Sequence, residues 1–304
     1  MSKQPTLLQQ FRSFCFQNGI SDLEQAIEYF AVFGGMGWDV NISKSLDYLI
    51  EKKVLKNYKY IHADITTTTK SNNVHHLILS ALSTGDRREH SAFKKANVGR
   101  NVGENSIDFL VDNGFLTVDK SIEKPVDDEE ISEKLLFSQP FIRFWFSCIS
   151  PYYKGIKAGE YKEVKEKWTH LQSGFSDHIL HQLSLELVKN SFQDDDEIEK
   201  IGSYWDKSVD IDILAKTKSG KLIAGLCKFS KSKAGKNDFA KLKEECKKSE
   251  LDIDTFVIFS KNKFSNELKK EKSEKLKLYS LRNIKTLLED LSEKDLLICK
   301  GKRY

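Results

Sequence analysis

Two carboxylates and a lysine carry the first chemical signal. In VDIDILAKTKSGKLIAGLCKF (209–229), Asp210 and Asp212 lie two apart on a predicted strand and so share a face. Lys228 lies on the next predicted strand, which Lys221 opens. A carboxylate at the mouth of a sheet can hold Mg²⁺, and a second acid two residues before the lysine would complete the metal site. The lysine would place an attacking water and neutralise charge on a scissile phosphate. Here the second position is Leu226, which cannot ligate a metal. Asp210, or Glu186 on an upstream predicted helix, would have to take its place.

Those residues need a sheet and flanking helices to position them. Residues 160–192 read as helical. EIEKIGSYW, VDIDILAK and KLIAGLCKF then read as three consecutive strands, the last two joined at Lys218-Ser219-Gly220. DFAKLKEECKKS is a predicted helix, DTFVIFS a strand, SNELKKEKS a helix, KLYSL a strand and RNIKTLLEDL a last helix. A β-meander followed by alternating helices and strands predicts an α/β layer with a mixed sheet.

The first half reads differently. SDLEQAIEYFAVFGG (21–35) predicts a helix capped by Ser21 with Glu24 three residues on, and stopped at Gly34-Gly35. Residues 42–52 predict another helix, and Leu55, Tyr58, Tyr60 and His62 suggest a strand. DITTTTKSNN (64–73) reads as a polar linker. Three helices follow, at 74–85, 89–98 and 103–113, the last running into the strand 115–118. That order matches a winged helix-turn-helix, and the first seventy residues repeat it more loosely. The expected division is 1–70, a winged-helix-like unit; 71–134, a winged helix and acidic connector; and 135–304, the sheet domain. The expected class is α+β.

Charge is segregated along the 304 residues. Residues 51–100 carry ten Lys/Arg against four Asp/Glu, and 216–250 carry eleven Lys against four acids. Residues 104–133 carry ten acids against two lysines. Basic zones suit phosphate backbones, although a solvated lysine-rich surface has the same composition. Lys216, Lys218, Lys221, Lys228, Lys231 and Lys233 would form one phosphate-tracking surface. Arg87, Arg88, Lys94, Lys95, Arg100 and Asn101 would hold phosphates ahead of the third helix. That helix shows Glu104, Asp108 and Asp112, which repel phosphate and suit a protein partner better.

Other residues favour bland roles. His178 and His181 lack a third ligand at suitable spacing. His75-His76 begin a helix, and Cys227 faces away from Lys228 toward a core. Phe141, Phe144, Trp145 and Phe146 sit at core-like helical spacing, with Arg143 among them either paired or at an interface. Five widely spaced cysteines with no CxxC pair suggest reduced thiols in a cytoplasm. No apolar run approaches 18 residues, so no membrane span is expected, and MSKQPTLLQQFRSF lacks a signal-peptide core.

The phrases FSQPFIRFWFSCISPYY, IGSYWDKSVDIDILAKTKSGKLIAGLCKFSKS and DTFVIFSKNKF occur in an order that resembles the C-terminal region of archaeal-type AAA ATPases. The resemblance covers roughly residues 75–290. In that family a winged helix links the ATPase to a PD-(D/E)XK nuclease-like domain. The resemblance implies a DNA-associated protein with a restriction-endonuclease-like α/β domain after the winged-helix-like units.

This chain departs from the family pattern. The family's E-x-K is Leu226-Cys227-Lys228 here, and its helical glutamate falls near Leu183-Ser184. Glu186, two positions further, lies about 200° round the helix. The family's Asp-Pro is Gln139-Pro140, and no GxxxxGK[ST] occurs, so the ATPase is absent from this sequence.

The first reading is a nucleic-acid-binding protein with a degenerate nuclease-like domain and no cofactor. The alternative is a Mg²⁺-dependent DNA nuclease with a rearranged site: Asp212 on the metal, Asp210 or Glu186 assisting, Lys228 placing water. A third reading is a scaffold for a separately encoded ATPase. Oligomeric state stays open.

Overall fold

A computed structural model describes residues 4–123 and 133–297. The chain forms two compact units. One comprises 1–118, 133–176 and 291–304; the other comprises 119–132 and 177–290. Together they make an α+β protein: a helical region, then a five-stranded mixed sheet with helices.

The helical unit opens with α1 (Leu7–Asn18) and α2 (Leu23–Phe33). Asp22, one residue past the expected Ser21, caps α2 by accepting from the Glu24 and Gln25 N–H groups. A short α3 (Leu46–Leu49) runs into the π-helical turn Ile50–Leu55, and α4 spans Tyr58–Thr68. The expected strand at 55–62 and linker at 64–73 are therefore helical up to Thr68. Tyr58, Ile61 and Ile65 are buried at helical spacing, which outweighs the weak alternation. The threonines stay helical by bonding backward: Thr67, Thr68 and Thr69 Oγ1 donate to the carbonyls of Ala63, Asp64 and Ile65. The described part of 1–70 contains no strand, and of the two helical groups the second is the one followed by a strand.

That group is α5 (Asn73–Thr84), α6 (Glu89–Ala96) and α7 (Arg100–Asp112). A two-stranded sheet follows, β1 (Leu116–Asp119) with β2 (Lys134–Phe137). Gly103 lets α7 lie against α6, because a methyl group there would meet the Phe93 ring at 2.4 Å. The expected acidic connector at 123–134 falls mostly outside the described residues.

The aromatic stretch belongs to this helical unit, not to the sheet domain where a boundary at 135 put it. It forms α8 (Pro140–Phe144) and the π-helical turn Trp145–Ile149. Phe141 meets Trp38 edge-on at 4.9 Å, and Trp145 stacks on Tyr58 at 5.5 Å. Those contacts build the unit's core, as the helical spacing of the aromatics suggested. After α9 (Tyr153–Ala158), α10 (Lys162–Ser191) carries the chain into the second unit.

The second unit holds β3 (Ile198–Trp205), β4 (Asp210–Thr217), β5 (Leu222–Lys228), β6 (Thr255–Ser260) and β7 (Leu276–Ser280), in that spatial order. β3, β4 and β5 pair antiparallel; β5, β6 and β7 pair parallel. Two further helices, α11 (Lys236–Lys248) and α12 (Asn266–Lys270), make the parallel crossovers. On one face Val188 and Phe192 of α10 pack on Ile213, Ala215, Ile223 and Val257. On the other, Leu242 and Cys246 of α11 pack on Tyr204, Ile211, Leu214 and Ala224. Gly225 permits the close approach of β5 to its neighbour, since a methyl group there would sit 2.5 Å from Val257 Cγ2.

Candidate functional site

The acid–lysine constellation lies at the open end of the β4–β5 hairpin. Cys227 packs against the α10-side cluster, so Lys228 points to the α11 side. There its Nζ contacts both carboxylate oxygens of Asp238, at 2.6 and 2.8 Å. Asp238 stands in the first turn of α11 and also accepts from the Gly235 N–H at 2.8 Å. The lysine's charge is thus neutralised by a carboxylate that its own crossover helix supplies.

Leu226, two residues before Lys228, stands where the resemblance implied an acid. It is half-buried and packs with both apolar groups on the α11 side, among residues that include Leu242, Phe239 and Ile258. At Leu183-Ser184, where the resemblance implied a helical glutamate, no acid stands. Ser184 is fully buried, and its Oγ donates to the His181 carbonyl and lies 3.1 Å from Cys227 Sγ.

Asp212 is half-buried and accepts from the Cys227 N–H at 2.7 Å. Burial pushes its carboxyl above the usual carboxylate range, while that N–H and His181 pull the other way. Asp210 and Glu245 of α11 add negative potential at Asp212. The Asp212 carbonyl sits beside a register shift in β3 between Gly202 and Tyr204. It accepts instead from His181 Nε2 at 2.9 Å and Ser203 Oγ at 3.0 Å. His181 therefore carries its proton on Nε2, which occupies that nitrogen and removes it as a metal ligand.

Glu186 lies five residues beyond His181 on α10, about 140° round the helix and about 7 Å along it. Asp210 is exposed on β4 opposite Trp205. Among the described residues, no group of three His, Cys, Asp or Glu side chains could hold a metal ion.

The lysines expected to form one surface lie at two ends. Lys216, Lys218 and Lys221 surround the β4–β5 turn, while Lys228 ends β5 at its far end and Lys231 and Lys233 lie beyond it. Six residue steps along β5 separate the ends by about 20 Å. At the turn, Lys216 pairs with Glu123 at 3.1 Å and Lys218 pairs with Glu197. At the other end the sequence reading missed two lysines, Lys261 and Lys263.

Backbone bonds lace these two segments together. Lys261 N donates to Lys228 O, Ala234 N to Lys263 O, and Ser265 N to Ala234 O, all at 2.8–3.0 Å. Asn262 Nδ2 adds a bond to Ser230 O at 2.8 Å. Lys231, Lys233 and Lys263 are exposed on this ribbon, beyond the C-terminal ends of the parallel strands. Lys236 beside them is paired with Glu271 at 2.8 Å. The signal for Lys261 and Lys263 was SKNKF following DTFVIFS; what hid it was the 30-residue spacing from SKSK.

In the helical unit the expected phosphate contacts are scattered among partners. Arg100 pairs with Glu104 at 2.7 Å and Lys95 donates to Thr84 Oγ1 at 2.7 Å. The Arg88 backbone N–H donates to Asp86. Lys94 is exposed on the last turn of α6, and Arg87 is half-buried after α5. His75 and His76 are satisfied by Ser106 and Thr69, both at 2.6 Å.

No helix among the described residues is long and apolar enough to cross a membrane. Comparison with curated proteins found no match, and neither did comparison with solved structures. Residues 145–248, about a third of the chain, are similar to the family DUF234, described as archaeal and bacterial proteins of unknown function.

Proposed function

We propose that this chain binds the phosphate backbone of nucleic acid through the lysine ribbon after β5 and β6, and that its nuclease-like sheet does not cleave. The observation that carries the proposal is the paired fate of the E-x-K positions. Leu226 is half-buried against two apolar groups, and Lys228 is held by Asp238. The α10–β3–β4–β5–α11–β6 order agrees with the nuclease-like layout that the sequence resembles, and the DUF234 match overlaps it.

The exposed lysines on two laced segments supply a basic surface of fixed shape. Fixed shape matters, because ordering long flexible side chains and loops on binding costs affinity. A DNA duplex titrated against the protein at increasing salt tests the reading. Affinity should fall as salt rises, and Lys231→Ala with Lys233→Ala should flatten the dependence. Salt-independent affinity sinks the proposal. The Mg²⁺-dependent nuclease reading, using Asp212, Asp210, Glu186 and Lys228, would require cleavage that Asp212→Ala abolishes.

A further inference from the structure

Two tyrosines of the helical unit stand in water. Tyr48 is 46% exposed and Tyr60 is 60% exposed. They mark the ends of one stretch of helical turns: Tyr48 in α3, then the turn Ile50–Leu55, then Tyr60 in the first turn of α4. Leu49, Ile50, Val54, Leu55, Tyr58 and Ile61 are buried along its inner side. Its outer side carries Tyr48, Lys52, Lys56, Lys59 and Tyr60, all exposed.

The charge on this stretch has one sign. From Tyr48 to Tyr60 the sequence carries four lysines against one acid, Glu51. That acid is answered twice, by Lys165 Nζ at 2.9 Å and by Lys56 Nζ at 3.4 Å. Lys165 foremost holds the Glu51 carboxyl below the usual carboxylate range. Lys165, from α10, therefore adds a further cation to the same surface. Lys52 Nζ lies 5.7 Å from the centre of the Tyr48 ring, so ring and ammonium are presented together.

A single exposed tyrosine is ordinary surface. Tyrosines interleaved with lysines have a matching ligand, because a nucleic-acid strand offers flat bases and phosphates together. In a duplex the base faces are stacked on one another. In an unpaired strand they are open to an aromatic ring while the phosphates meet lysines. An acidic protein would match the lysines and leave the rings unused. Twelve helical steps from Tyr48 to Tyr60 keep their Cα atoms within about 18 Å, so one short strand reaches both.

We propose that Tyr48, Lys52, Lys56, Lys59 and Tyr60 form a second nucleic-acid surface, selective for unpaired strands. Bases stack on the two rings, and phosphates meet the lysines. The surface belongs to the helical unit and stands without the lysine ribbon of the sheet unit.

A short fluorescein-labelled oligothymidylate and a duplex of the same length are the probes, titrated by anisotropy against the full chain. Every protein carries Lys231→Ala, Lys233→Ala and Lys263→Ala, so a failure of the ribbon is not mistaken for a failure here. This parent binds oligothymidylate more tightly than the duplex. Tyr48→Ala and Tyr60→Ala each weaken oligothymidylate by about tenfold, the loss of one base stack, and leave the duplex unchanged. Tyr48→Phe and Tyr60→Phe keep the rings and keep the affinity. Lys52→Gln with Lys56→Gln makes the slope of log affinity against log salt shallower by about 0.7 for each lysine removed. The substituted side chains are exposed, and thermal unfolding checks that each variant folds.

No binding of oligothymidylate by the parent overturns the proposal. So does full affinity in both tyrosine-to-alanine variants, or an equal loss for single strand and duplex. Poly-glutamate bound as tightly as oligothymidylate would assign the lysines to an acidic protein and overturn it as well.

Discussion

At the scale of single residues, the sheet unit has the chemistry of a packed core where a metal site would stand. Leu226→Ala should cost about 2 kcal/mol in denaturant unfolding, because half-buried leucine contacts on two apolar groups are lost. Duplex affinity should be unaffected. Asp212 predicts a pH dependence. Its folded carboxyl titrates above the usual range, so the ionised form penalises the fold. That penalty is complete above the raised folded value and vanishes below the unfolded value of about 4. Asp212→Asn keeps an acceptor for the Cys227 N–H and removes the charge. The variant should unfold at a higher denaturant midpoint than wild type at pH 7, with the gap closing toward pH 4. A variant less stable at pH 7 would show that the ionised carboxylate is favourable there. Asp212 and Lys228 could be picked out by their spacing in the sequence, and Leu226 as a departure only through the family resemblance. Asp238 could not, because a partner from the first turn of a crossover helix shows no fixed offset from a strand lysine.

At the scale of elements, alternation and helix caps gave β3 to β7, α10 and α11 close to their observed bounds. The failure was α4, where four consecutive threonines look like a linker until the hydroxyls of Thr67, Thr68 and Thr69 are given the preceding turn's carbonyls. The hairpin also corrects the expected phosphate surface, since strand length alone carries Lys216, Lys218 and Lys221 away from Lys231 and Lys233. Lys218→Ala with Lys221→Ala should therefore leave the salt dependence of duplex binding unchanged. Asp238→Ala should do the opposite. It removes the Gly235 N–H acceptor and an acid from the α11 N-terminus, costing about 1–2 kcal/mol of stability. It also frees Lys228 to meet phosphate, so duplex affinity and its salt slope should rise. Thermal unfolding and anisotropy titration on one preparation would read both. A fall in affinity in a folded variant would contradict the masking role of Asp238.

At the scale of the whole molecule, the α+β class follows from the change in periodicity near residue 197, whereas the three-part division expected from the sequence differs from the two units, which part near residues 118, 132, 176 and 290. Aromatic residues 141–146 belong with Trp38 and Tyr58, and only tertiary contact reveals that. The central claim is that the chain holds nucleic acid by its backbone without cutting it. The most direct test is a salt titration of duplex binding in Mg²⁺, comparing wild type with a Lys231→Ala, Lys233→Ala, Lys263→Ala variant, and sizing the recovered DNA. The account predicts intact DNA, with the slope of log affinity against log salt shallower by about 0.9 for each lysine removed. Salt-independent binding, an unchanged slope in the triple variant, or cleavage that disappears in Asp212→Ala would contradict it.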